Sequence, residues 1–165
     1  MGNKKVLFMV QAAMIAAIYV VLTIVFAPFS YGEVQVRIAE ALTILPLFTP
    51  AAIPGLFVGC LLSNILGGCA MLDIIFGSLA TLIGAYFTYL LRKKHPVLAP
   101  VPPILTNMVI LPFVIRFAYG TSLPMWLLAL SIGAGEVISC GVLGLVLYAA
   151  LHRYSDRIFN PKAIS

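Results

Sequence analysis

Tyr31–Gly68 reads YGEVQVRIAEALTILPLFTPAAIPGLFVGCLLSNILGG, and its reading decides the fold. Most of the stretch is apolar enough for a bilayer, yet it carries Glu33, Arg37, Glu40 and Asn64. A charged side chain at the centre of a membrane helix costs roughly 2.5–3.5 kcal/mol on insertion scales, so such residues tend to mark sites. Glu33, Arg37 and Glu40 are spaced by four and then three, which an α-helix places on one face. That face cannot look at lipid. It faces protein, a water-filled cavity or a ligand, and Arg37 is expected to pair with Glu40 or Glu33.

Outward from this stretch the chain stays apolar. Of 165 residues, 62% are hydrophobic and 9% charged, whereas soluble domains are nearer half and a quarter. This composition predicts an all-α membrane protein forming one domain, since helices satisfy their own backbone in lipid. At about 20 residues per span, six spans fit, roughly 6–27, 34–48, 51–66, 71–91, 102–118 and 124–151. The opening resembles a signal peptide, but its apolar run is too long for one and reads as a retained first span. Lys4 and Lys5, Arg92 to Lys94, and Arg153, Arg157 and Lys162 flank apolar segments, so both termini are expected in the cytoplasm. That placement explains the net charge of +5 without nucleic acid.

With this orientation Arg37, Glu40, Asn64, Asp73 and Arg116 fall in the outer half of the membrane, and Glu136 lies deeper. Several have plainer readings. Asp73 would complement a helix N-terminus, Asn107 would bond between helices, and Arg116 would snorkel to headgroups. Glu136, within Gly133-Ala-Gly-Glu, has no basic neighbour in sequence; it must be protonated or partnered from elsewhere. Gly67-Gly68 is either a close approach to a ligand or a tight turn. Cys60, Cys69 and Cys140 lack paired spacing and read as small packing residues. His95 and His152 sit beside basic clusters and read as solvated. On the first span, Ala12 with Ala16 and Ala13 with Ala17 form small-xxx-small pairs, suited to packing within the subunit or to docking another membrane subunit. No metal motif, cofactor motif, catalytic pair or GxxxxGK[ST] is present.

Val34–Gly68, followed by LDIIFGSLATLIGAYFTYLLR from Leu72, PPILTNMVI from Pro102 and IGAGEVISCGVLG from Ile132, resembles the QueT family of queuosine-precursor transporters. These are substrate-binding S components of energy-coupling-factor (ECF) transporters. The resemblance implies a six-transmembrane-helix S-component fold. It implies capture of a 7-deazaguanine such as preQ1, preQ0 or queuine, and docking to one membrane T subunit with two ATPase subunits. The first-helix strip that contacts the T subunit in S components maps onto Ala12, Ala13, Ala16 and Ala17. A deazaguanine edge offers adjacent donors that a carboxylate accepts together. Glu136 and Glu40 are therefore the expected carboxylate ligands and Asn107 and Asn64 the amides, with Arg37, Asp73 and Arg116 around them. The alternatives are an S component for another vitamin-like molecule and a stand-alone proton-coupled carrier, although no internal repeat marks the latter.

Overall fold

In the computed structural model the described residues are 2–30 and 36–159, with side chains from 4–28, 36–155 and 158–159. Glu33, the outer turn beyond Ser30 and Lys162 lie outside them.

The described residues are helical and contain no strand. The principal elements are α1 (Gly2–Val25), α2 (Ile38–Leu47), α3 (Ala52–Leu66), α4 (Met71–Leu90) and α5 (Val101–Tyr119). A composite α6 follows, running through Met125–Glu136, Val137–Leu143 and Gly144–His152. Lys4–Val25, Met71–Lys93, Pro96–Tyr119 and Met125–His152 are long and apolar enough to cross a membrane. Helices α2 and α3, at 10 and 15 residues, are shorter. Multi-pass membrane character therefore rests on four long helices.

The polarity of the bundle is inverted relative to a soluble protein. Met9, Met14, Val25, Phe117, Trp126 and Val146 look outward, as a lipid medium requires. Thr23, Ser63, Ser78, Thr81 and Thr88 are buried. Most of these hydroxyls donate to carbonyls, as Thr23 does to Tyr19, Ser78 to Ile74 and Thr88 to Ala99. None therefore carries an unmet donor into the interior.

Helix α2 departs most from the expected geometry. A regular α-helix over 34–48 would have contained Arg37. Instead Arg37 caps the helix in extended conformation, with φ −85° and ψ 99°. The following ten residues wind as a 3-10 helix. The Glu40 N–H reaches the Arg37 carbonyl at 2.9 Å, three residues back. Pro46 has no N–H to give an α-type bond. A 3-10 helix rises about 2.0 Å per residue, against 1.5 Å for an α-helix, so a short segment reaches further. Residues Ala39 to Pro46 are all buried. The helix sits inside the bundle against α1, α3, α4 and α6, which is why a segment apolar nearly all round can also carry charge.

Helices α1 and α3 meet backbone to backbone. A Cβ on Gly55 would stand 2.8 Å from the Ala12 carbonyl oxygen, and one on Gly59 would stand 2.8 Å from Tyr19 Cβ and 3.1 Å from the Ala16 oxygen. Ala12 and Ala16 thus face α3 within this subunit, whereas Ala13 and Ala17 are exposed. The four-alanine strip divides into an inner pair and an outer pair. The Gly67-Gly68 pair makes a turn: the Gly67 N–H closes α3 onto Ser63, and Gly68 takes φ +69° in open space. At the other end of the bundle, Phe48 stacks on Tyr148 and Phe159, and exposed His152 stacks on Tyr148.

Gly59→Val should destabilise the protein by about 1–3 kcal/mol through overpacking. Thermal unfolding in detergent checks this, with Ala13→Leu on the exposed side of α1 expected to match the wild type.

Candidate functional site

Two linked polar clusters occupy the interior, one on either side of α2. The first joins α1, α2, α5 and α6. Glu40 is 1% exposed and Glu136 5%, so neither carboxylate is met by bulk water. Tyr19 on α1 donates its hydroxyl to Glu40 Oε1. Glu40 Oε2 is buried and has no hydrogen-bond partner among the described residues. Glu136 is bonded on both oxygens: Asn107 Nδ2 donates to Oε1 at 2.6 Å, and Cys140 Sγ donates to Oε2 at 3.0 Å. One oxygen of each carboxylate and Cys140 Sγ all lie within 4.8 Å of one another. Thr43 completes the contact, with its hydroxyl on the Glu40 carbonyl at 2.6 Å and on Cys140 Sγ at 3.3 Å.

Local winding brings these groups together. Immediately after Glu136 the helix widens into a π segment, Val137–Leu143, which contains Cys140. Such widenings recur at functional sites. Gly133 lets α5 approach α6, since a Cβ there would stand 2.7 Å from Met108 Sδ. That approach allows Asn107, one residue earlier, to reach Glu136.

The second cluster sits where α2, α3, α4 and α5 converge. The Arg37 guanidinium lies 3.9 Å from Asp73 Oδ2, with both side chains buried. Asp73 is thus a counter-charge of Arg37 that the sequence reading had not named; of the two expected partners, Glu40 also faces Arg37 and Glu33 lies outside the described residues. Tyr119 donates to the same Asp73 oxygen at 3.1 Å and accepts the Ala70 N–H at 3.2 Å, tying the end of α5 to the start of α4. Asn64 Nδ2 reaches the Asp73 carbonyl at 3.4 Å. Gly77 makes room for this group, because a Cβ there would stand 2.9 Å from Asp73 Oδ1 and 3.3 Å from Asn64 Nδ2.

The fold therefore gathers Arg37, Glu40, Asn64, Asp73, Asn107 and Glu136 inside the bundle. Arg116 stands apart: it is exposed and donates to the Leu123 carbonyl at 3.1 Å, holding the turn between α5 and α6. Asn107 does bond between helices, and Asp73 does lie in the first turn of α4. The plain and the functional readings of those two residues coincide. Tyr19, Tyr119 and Cys140 are the polar members that the sequence reading passed over. Cys140 was expected to be simple packing, but its sulfur is committed to Glu136 and Thr43.

Comparison with known proteins agrees with this picture. Residues 9–153 match the QueT transporter family. A stretch of 85 residues is 35% identical to the queuosine precursor transporter QueT of Lactococcus lactis subsp. cremoris (strain MG1363), covering 50% of this chain and 50% of that relative. The match thus spans about half the length of each protein. No solved structure matches the chain.

Tyr19→Phe leaves the Glu40 carboxylate without its one described donor, and an unmet buried acceptor costs about 1–3 kcal/mol. The midpoint of unfolding by a denaturing detergent should fall accordingly, whereas Tyr86→Phe on the exposed face of α4 should leave it unchanged.

Proposed function

The chain belongs to the QueT transporter family, and from that premise we propose that it is the membrane subunit that captures a queuosine precursor for an ECF-type importer. The observation that carries this reading is the buried pair Glu40 and Glu136, with one unmet acceptor oxygen on Glu40. Intramembrane carboxylates are costly and tend to serve substrate paths. A 7-deazaguanine carries N–H donors, and its aminomethyl form an ammonium group, that an unmet carboxylate oxygen can accept.

In this reading Glu40 Oε2 meets the ligand, and Glu136, held by Asn107 and Cys140, supplies the second acid. Of the two carboxylates expected from the sequence, Glu40 takes the ligand contact, because both Glu136 oxygens already have partners. Asn64, Arg37 and Asp73 hold the neighbouring wall, and Arg116 shapes the α5–α6 turn. Helices α2 and α3 complete six membrane-embedded segments, with the three basic clusters placing both termini in the cytoplasm. Ala13 and Ala17, the exposed half of the α1 strip, are the surface for a membrane T subunit, and two ATPase subunits supply the energy. A stand-alone proton-coupled carrier is the second reading, favoured by the closeness of the two acids; uptake into liposomes by this chain alone would establish it.

Titration calorimetry of the detergent-purified protein with preQ1, preQ0 and queuine tests the assignment, and absence of binding by all three refutes it. Glu40→Gln replaces an acceptor by a donor. The loss of a charged hydrogen bond, about 1.5–3 kcal/mol, should weaken binding roughly 10- to 150-fold. Ala13→Trp should abolish ATP-driven uptake by the assembled importer while ligand binding by the isolated protein stays intact. Ala16→Trp should instead reduce folded yield, because Ala16 abuts α3.

A further inference from the structure

The interior carries an unbalanced charge. Among the described residues the buried ionisable acids are Glu40, Asp73 and Glu136, and Arg37 is the buried base. Arg37 stands beside Asp73 and also faces Glu40 and Glu136, so one described cation is set against three acids, and an oxygen of Glu40 and one of Glu136 lie inside 4.8 Å. Two carboxylates that close, away from water, do not both stay ionised; one proton or one cation resolves the repulsion. Among the described residues the other titratable groups facing the pair are Tyr19 from α1, Cys60 from α3 and Cys140 from α6, with Arg37 preceding α2. Tyr19 and Cys140 donate hydrogen bonds to the pair and bring no positive charge. Asn107 from α5 is neutral.

We propose that the Glu40–Glu136 pair is a single-charge exchange site, which holds one proton when empty and surrenders it to solvent when the ammonium group of a cationic ligand takes its place. Glu40 Oε2 is the acceptor at which the exchange occurs, since the other three oxygens of the pair are already bonded. The Cys140 thiol keeps its proton in this scheme. Its sulfur donates to Glu136, whereas a metal-binding cysteine is a thiolate. The occupant proposed for the pair is an organic cation, and a metal ion held by Glu40, Glu136 and Cys140 is the outcome that the chelator arm of the test detects. The inference rests on the reading that the ligand is a 7-deazaguanine, and it adds that a primary ammonium on that ring is recognised by proton displacement.

Calorimetry with 7-aminomethyl-7-deazaguanine and its neutral 7-cyano counterpart, in buffers of differing ionisation enthalpy, provides the test. The aminomethyl compound should release about one proton per molecule bound, and its affinity should rise about tenfold per pH unit while the empty pair keeps its proton. Affinity for the cyano compound should be flat, with no buffer-dependent heat. In Glu136→Gln a lone carboxylate remains, so the aminomethyl compound should bind without proton release. If that variant does not fold, the wild-type comparison decides alone. Binding of the aminomethyl compound without proton release overturns the exchange and leaves the assigned function standing. Loss of its binding on treatment with a chelator overturns it in favour of a metal. Failure of the aminomethyl compound to bind overturns the exchange, and failure of both compounds and of queuine overturns the assigned function as well.

Discussion

A carboxylate that cannot reach water must be met by a donor, a proton or a cation, and the bundle is arranged around that constraint. Glu40 sits on α2, which packs against α1, α3, α4 and α6, and Glu136 sits where α6 changes its winding. The residues that meet them arrive from separate helices: Tyr19 from α1, Asn107 from α5 and Cys140 from within α6. Between membrane helices apolar contact gains little over lipid, so hydrogen bonds and close packing carry the specificity of association. The polar interior is thus what the helices assemble around, and it is where the proposed ligand contact lies.

Much of this was legible in the sequence. The long apolar runs gave α1, α4, α5 and α6, because length and composition suffice for a helix in lipid. The charges in the Tyr31–Gly68 stretch pointed correctly to an interior position for Arg37 and Glu40. The contact of Arg37 with Asp73 was not legible, since Arg37 is an extended cap before α2 and no spacing near it points to α4. Asp73 lies 36 positions beyond Arg37, and only the packing of α4 against α2 brings the two together. Tyr19 gave no signal, being one aromatic in an apolar helix. What identifies it is Gly59 opposite, which exists only once α1 and α3 have met. The alanine strip was visible as a pattern, but its two halves diverge in role because α3 claims one and leaves the other.

The family match and the interior support one another at different levels. The match over residues 9–153 fixes kinship, and the arrangement of side chains supplies a chemical reason for the ligand class. Neither observation alone distinguishes a carboxylate that contacts ligand from one that stabilises helix packing. The proposed ligand contact rests on the unmet oxygen of Glu40, an acceptor that buried carboxylates usually have satisfied.

The inverted polarity of the bundle also bears on its thermodynamics. The heat capacity of unfolding and the slope of stability against denaturant both track the surface newly exposed to water. Here Met9, Val25, Phe117 and Val146 are on the outside already, and they remain in lipid or detergent whether the helices are packed or parted. Little apolar area is wetted when α1 separates from α3, so the stability curve should be flat with temperature and urea a weak perturbant. For a molecule of this kind, resistance to urea is a property of the medium around the helices more than of the contacts between them.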